Sequence, residues 1–385
     1  MKEKLIRITT IPLSLEKLLG GQLHFMSEYY EVIAVSSDEK YLQQIGQKEK
    51  VKVYHTDLTR KITPLKDLKA LWKLYRFFKK EKPTIVHTHT PKAGIIGMLA
   101  AKLAFVPYRL HTVAGLPLME ASGLKRNILD AVERLTYQCA TKVYPNSKGL
   151  YDFIVEHNYA KTDKLKVIAN GSSNGIDTTY FSLDSVEDGS ISTLKQELGI
   201  LPSDFVFVFV GRLVGDKGIN ELVKAFSILN QKETSLKLLL VGPLESDLDP
   251  LEDDTLNEIK INPSILTVGM QNDVRPYFAM ANALVFPSYR EGFPNVVMQA
   301  GAMGLPAIVS NINGCNEIIQ QNANGLIVPS KDIDLLYTAM ERLYQDPVFY
   351  SALKANARTM VTSRYEQKVV WNALLNEYNN LKADV

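Results

Sequence analysis

The chain has 385 residues, 46% hydrophobic and 22% charged, a globular composition that excludes a disordered, collagen-like or low-complexity protein and leaves room for two or three domains. The net charge of +2 is unevenly spread: residues 1–175 hold 28 Lys and Arg against 16 Asp and Glu, leaving 16 against 26 for residues 176–385. Cys139 and Cys315 lie far apart without CxxC or Cys/His spacing, which excludes a disulfide framework and a zinc module and makes a reducing compartment the default.

The opening MKEKLIRITTIPLS carries only a short apolar stretch broken by Arg7 and Pro12, so it reads as a first strand rather than an export signal, and a cytoplasmic location is expected. Short, β-branched apolar runs then alternate with helical patterns. They are LIRITTI, EVIAVSS, VKVYHT, TIVHTHT, YRLHTV, KVYPNS and KLKVIAN in the first half, and FVFVFVG, LKLLLVG, ILTVGM, ALVFPS, PAIVS and GLIVP in the second. Strands apolar on both faces and separated by helices predict parallel sheets covered on both sides, hence an α/β chain of two doubly wound, Rossmann-like domains. The segment from about 174 to 203 is rich in Gly, Ser, Thr and Asp and reads as a linker, and Tyr365 to Lys382 reads as a terminal helix. No run of 18 apolar residues occurs, so no membrane-spanning helix is expected.

In such sheets ligands bind beyond the carboxyl ends of the strands, and the informative residues follow strands there. FVFVFVG leads into Arg212, Leu213, Val214, Gly215, Asp216, Lys217 and Gly218 and then a helical pattern. Two cations around flexible glycines at a strand-to-helix turn suit a pyrophosphate, although neither a Walker A loop nor a GxGxxG turn is present. ALVFPS leads into Glu291, Gly292, Phe293, Pro294 and Asn295, where a carboxylate beside a helix start can accept sugar or ribose hydroxyls while first-turn N–H groups face phosphate. His87 and His89 alternate along a strand and are expected on opposite faces, which disfavours a metal pair. The segment from Arg60 to Lys82 interleaves nine Lys and Arg with Leu65, Leu68, Leu71, Trp72, Tyr75 and Phe78. It reads as a helix packed on the first sheet, with a peripheral membrane-docking surface as the sharper alternative. The apolar loop GLPLMEASGLKRN (115–127), running into a basic helix start, is a second candidate for that surface.

The segments GRLVGDKG and EGFPNVVMQ, with VHTHTPKAG, PNSKGL, NGID, LVGP, VGMQNDV and NGLIVP in the same order, resemble the retaining family 4 glycosyltransferases of GT-B fold, closest in flavour to bacterial enzymes of capsular and lipid-linked glycan synthesis. The resemblance implies an acceptor-binding domain over 1–175, a nucleotide-sugar domain over 176–364, and a helix at 365–385 packing back on the first. Arg212 and Lys217 would bind the donor diphosphate and stabilise it as leaving group. Glu291 would hold a donor sugar hydroxyl, Gly292 to Asn295 would supply backbone contacts, and Met270 would lie by the base. The donor implied is a nucleotide-diphosphate sugar, UDP-linked, held in a cleft between the domains, with no cofactor and no metal. The acceptor implied is a glycan or polyprenyl-diphosphate-linked sugar at the inner membrane face.

Two positions depart from the family pattern. Gln299 stands where the second Glu of Glu-x7-Glu accepts ribose hydroxyls; it keeps one carbonyl oxygen but loses the charge. In RLHTVAGLP, Ala114 precedes Gly115 where many relatives carry His, and His111 is the nearby candidate for a catalytic or acceptor role, with Lys92 as a candidate for an acceptor phosphate. The competing readings are a non-hydrolysing UDP-sugar 2-epimerase, a non-catalytic sugar-nucleotide-binding subunit, and nucleic-acid binding, which no RRM, KH or helix-turn-helix signature accompanies.

Overall fold

The computed structural model describes residues 2–59, 61, 63–245 and 249–383; Arg60 of the basic segment lies outside the described residues. The chain divides into unit one, 1–174 with 368–385, and unit two, 175–367.

Unit one holds β1 (Lys4–Ile8), α1 (Pro12–Leu19), α2 (Gln22–Ser27), β2 (Glu31–Ser36), α3 (Glu39–Glu49), β3 (Lys52–His55), α4 (Pro64–Glu81), β4 (Ile85–Thr88), α5 (Pro91–Leu103), β5 (Tyr108–Val113), α6 (Gly123–Cys139), β6 (Lys142–Pro145) and α7 (Lys148–Glu156). Its six strands are parallel in the order β3-β2-β1-β4-β5-β6. Successive residues of β1 serve opposite faces: Ile6 and Ile8 join a core with α4, α5 and α6, whereas Leu5 joins a second core with α1, α2 and α3. The expected strand at KLKVIAN is corrected. Only Leu165 makes a bridge, to Val143, and positive φ at Ala169, Gly171 and Ser172 turns the chain away from the sheet edge.

Unit two holds α8 (Asp188–Glu197), β7 (Phe205–Val210), α9 (Ile219–Asn230), β8 (Leu236–Val241), α10 (Asp253–Ile261), β9 (Ile265–Thr267), α11 (Arg275–Met280), β10 (Ala283–Phe286), α12 (Asn295–Ala302), β11 (Ala307–Ser310), α13 (Cys315–Ile318), β12 (Gly325–Val328), α14 (Ile333–Gln345) and α15 (Pro347–Tyr365). Its strands are parallel in the order β12-β11-β10-β7-β8-β9. The alternating Phe and Val of β7 are almost wholly buried because helices cover both faces. Helix α8 lies inside the segment read as a linker; it buries no residue fully and packs against α11. Helix α16 (Gln367–Ala383) follows α15 and, from Lys368, belongs to unit one, where Leu374, Tyr378 and Leu381 enter the core behind Leu5. No described helix is long and apolar enough to cross a membrane.

Candidate active site

In each sheet the strand order reverses at one place, and in unit two that place lies between β7 and β10. Loops leaving the carboxyl ends of such a pair diverge and open a crevice. After β7 the chain makes a single 3-10 turn, Gly215–Lys217, and enters α9 through Gly218 at φ +71°. A Cβ at Gly218 would stand 2.2 Å from the carbonyl oxygen of Pro287, so only glycine lets this loop press on the one after β10. The close approach brings Lys217 Nζ to 2.6 Å from Glu291 Oε1, with the Ser288 hydroxyl donating to the same carboxylate oxygen at 3.1 Å. Both charged side chains are mostly but not wholly enclosed, at 14% and 18% exposure, so the pair faces the crevice with its desolvation shared.

Arg212 follows β7 immediately but pairs with Glu245 at 3.2 Å rather than with this cluster. An exposed pair of this kind is worth about 0–1 kcal/mol, so it holds the guanidinium only weakly. Gly292 to Asn295 bridge Glu291 and the start of α12. Asn313, beyond β11, donates to the carbonyl oxygens of Glu291 and Gly292 at 3.0 and 2.6 Å. Gly314, at φ +75°, sits so close behind that a Cβ would lie 2.7 Å from the oxygen of Gly292. Phe293 stacks edge-on against Tyr365, and Pro294 stands immediately before the first turn of α12. Gln299 lies partly exposed in the body of α12. Met270 is 74% exposed beyond β9, in a segment tied back by the Gly242 N–H bond to Gly269 at 2.9 Å.

These residues therefore follow β11, β10, β7, β8 and β9, five neighbouring strands. With strands about 4.8 Å apart, the row from Glu291 past Lys217 and Arg212 to Met270 spans about 14 Å. Carboxylate, cations and an open apolar residue succeed one another along it. Sequence reasoning missed Ser288, Asn313, Gly314 and Glu245. The strand-end rule flags Asn313 and Gly314, since both follow β11, but the Asn313 bonds and the Gly314 close approach to residues about twenty positions earlier carry no local signature. Buried Cys315 lies beside the cluster, its thiol pushed well up by burial, with Glu291 adding to the shift and Lys217 opposing it.

The acceptor-side expectations fare differently. His111 is 2% exposed, with Nδ1 2.7 Å from the Thr88 hydroxyl and its ring under Gly94, where an added Cβ would meet it at 2.6 Å. Burial holds it neutral, with a pKa lowered to about 4. The acceptor or catalytic assignment of His111 is thus corrected to a satisfied core position. Lys92, expected in a loop, stands in the first turn of α5 with Nζ 2.5 Å from Asp67 on α4, so its charge is already engaged between two helices. His87 and His89 do not face apart: two positions apart on an extended chain they share a face, as Ile6 and Ile8 do on β1, and the two rings lie 4.2 Å from each other. His87 meets Tyr378 of α16 at 2.6 Å and Thr112 at 2.8 Å, and His89 accepts from Arg7 Nε at 2.9 Å. Burial lowers both histidine pKa values well below the usual range.

Comparison with known proteins agrees with the motif reading. Residues 190–360 match the family described as glycosyl transferases group 1, and residues 26–171 match the glycosyl transferase 4-like domain. The chain is 34% identical over 380 residues to the capsular polysaccharide biosynthesis glycosyltransferase CapM of Staphylococcus aureus, covering 98% of this chain and 97% of that protein. It is 31% identical over 312 residues to the Escherichia coli UDP-Gal:alpha-D-GlcNAc-diphosphoundecaprenol alpha-1,3-galactosyltransferase, covering 80% and 78%. A glycosyltransferase from Rickettsia africae superposes with a TM-score of 0.83 at 18% identity over the full length of both chains, so the fold is the GT-B fold of those enzymes. By its paired domains, its motifs and its full-length relatives, the chain belongs to the glycosyltransferases of group 1, with a 4-like N-terminal domain.

Proposed function

We propose that this glycosyltransferase moves a hexose or N-acetylhexosamine from a UDP-sugar to a polyprenyl-diphosphate-linked acceptor in surface-polysaccharide synthesis, with retention at the anomeric carbon and without a metal. The observation that carries the reading is the row of Glu291, Lys217, Arg212 and Met270 at the carboxyl ends of neighbouring strands. Its order matches sugar, diphosphate and nucleoside along an extended donor. Lys217 is shared between Glu291 and the incoming diphosphate, while Arg212 releases Glu245 to close on it. Charge developing on the leaving diphosphate is met by these two cations, the role a metal ion plays elsewhere. Glu291, braced by Ser288 and by the Asn313 bonds to its own carbonyl, positions a donor hydroxyl and is not assigned as a covalent nucleophile. The lipid-linked acceptor, the UDP donor and a peripheral position at the inner membrane face are supported by the E. coli relative's substrates and by the basic character of residues 1–175.

The test is thermal stabilisation by UDP-, GDP-, ADP- and CMP-sugars, followed by transfer assays. A donor at about 100 times its Kd adds about 2.7 kcal/mol of stability. The expected outcome is a shift by UDP-hexoses that is lost in Lys217→Ala, with turnover reduced about 10- to 150-fold in Arg212→Ala and Lys217→Ala for lost charge-assisted contacts of about 1.5–3 kcal/mol. Activity undiminished by chelator and an unchanged anomeric configuration in the product complete the reading. Stabilisation by a donor with no transfer to any acceptor refutes it in favour of a non-catalytic subunit.

A further inference from the structure

Helix α4 presents three rows of side chains. Ala70, Leu74, Phe77 and Phe78 are buried against the sheet. Lys66, Lys69 and Lys73, spaced i, i+3, i+7 on one face, line a pocket of about 450 Å³ with Ser37, Asp57, Leu58 and Thr59. One position earlier in each turn stand Leu65, Leu68 and Trp72, exposed at 80%, 62% and 60%. Single exposed apolar residues are ordinary, but three along one face make a patch. The pocket lies just past the carboxyl ends of β2 and β3, the edge where parallel sheets bind ligands. Its charge is not cancelled locally. Asp67, the acid of the first turn of α4, is engaged by Lys92, and Asp57 lies 3.3 Å from His55. Three ammonium groups against the single Asp57 carboxylate leave two positive charges, the complement of a diphosphate diester.

We infer that the lysine row of α4 holds the diphosphate of the lipid-linked acceptor while its polyprenyl chain lies along Leu65, Leu68 and Trp72. The inference rests on the lipid-linked acceptor of the proposed function and assigns it a site. A pocket of this volume is of ligand size, and the apolar row beside it gives an otherwise unfavourable exposed surface an occupant. Neither a soluble phosphate nor a bilayer alone explains both rows: the first leaves the Leu/Trp row in water, and the second has no need of a pocket.

The test is flotation of the full chain with three vesicles: neutral phosphatidylcholine, the same lipid with undecaprenyl diphosphate, and the same lipid with phosphatidylglycerol at matched negative charge. Wild-type protein is expected to bind the undecaprenyl diphosphate vesicles above the other two. Lys66→Gln with Lys69→Gln and Lys73→Gln is expected to weaken that binding about 100-fold, at about tenfold per 1.4 kcal/mol and about 1 kcal/mol for each lysine near an anionic surface. Leu68→Ser with Trp72→Ser is expected to weaken it too. The UDP-sugar melting shift serves as the folding control and stays unchanged in both variants. Equal binding to phosphatidylglycerol overturns the inference in favour of general membrane attraction. Wild-type binding that survives the triple lysine substitution overturns the site while leaving the lipid-linked reading intact. No wild-type binding to undecaprenyl diphosphate overturns that reading as well.

Discussion

The strand-order reversals of the two sheets, β1 beside β4 and β7 beside β10, have the same topology and opposite contents. In unit one the crevice is stitched shut. The Thr10 backbone N–H donates to the Thr90 hydroxyl at 2.9 Å, and the two hydroxyls meet at 2.7 Å. Beneath them the wholly buried Arg7 is bonded to neutral His89 and to Gln22. In unit two the crevice keeps a lysine–glutamate pair at its lip and a glycine where a side chain would collide. A topological switch point is thus only an opportunity for ligand binding. Unit two leaves charge and backbone accessible there, while unit one uses the same place to bury a polar network, and its accessible cations stand out on α4.

The largest expected effect tests the unit-two side. Gly218→Ala puts a Cβ 2.2 Å from the Pro287 oxygen at a φ of +71°, and the loop must move to relieve it. Strain and clash of about 3 kcal/mol or more at this turn correspond to a loss of over 100-fold in turnover. Kinetics alongside the donor-induced melting shift check this; wild-type values for both would mean that loop contact is irrelevant to donor binding.

Next comes the unit-one network, read through pH. His87, His89 and His111 have folded pKa values depressed by burial, His111 to about 4. Their neutral state is therefore fully favourable above the unfolded value near 6.5 and loses stability as pH falls from there toward the folded values. Glu133 acts in the opposite sense. Burial raises its pKa to about 7, so acidification from 7 toward the unfolded value near 4.5 relieves a cost. Around pH 5.5 the unfolded chain binds more protons than the folded one at the three histidines and fewer at Glu133, so the histidines set the sign. Stability should therefore fall as pH falls through this range. Urea unfolding at pH 5, 5.5 and 6 measures the slope, and a flat profile would show that the histidines are not held neutral.

The smallest effect concerns the departure at Gln299. Gln299→Glu supplies an ionised acceptor for the ribose hydroxyls, and the difference between neutral and charge-assisted bonds is about 1 kcal/mol, a roughly fivefold lower donor KM with kcat unchanged. An unchanged KM would place the ribose elsewhere.

Residue patterns alone led to both parallel sheets, because β-branched runs such as FVFVFV cannot be half-exposed and stay soluble. They also led to the Lys217–Gly218 turn and the Glu291 loop, since strand-end glycines and charges are local signals. KLKVIAN misled because an apolar run does not reveal the positive φ values at its end and just beyond it. Helix α8 was hidden because it buries no residue fully and so leaves only a faint apolar stripe.

Composition, periodicity and strand-end motifs determined that this chain forms two doubly wound units and that the second carries a phosphate-suited turn, because those properties depend on residues close in sequence. Only the tertiary structure decided that Lys217 pairs with Glu291 rather than with solvent, that Asn313 braces the loop, and that His111 and Lys92 are already engaged. It also aligned the lysine and leucine rows of α4 along one pocket edge. Each of these depends on which strand ends and helices the fold makes neighbours, and that adjacency is set by the packing of the whole unit.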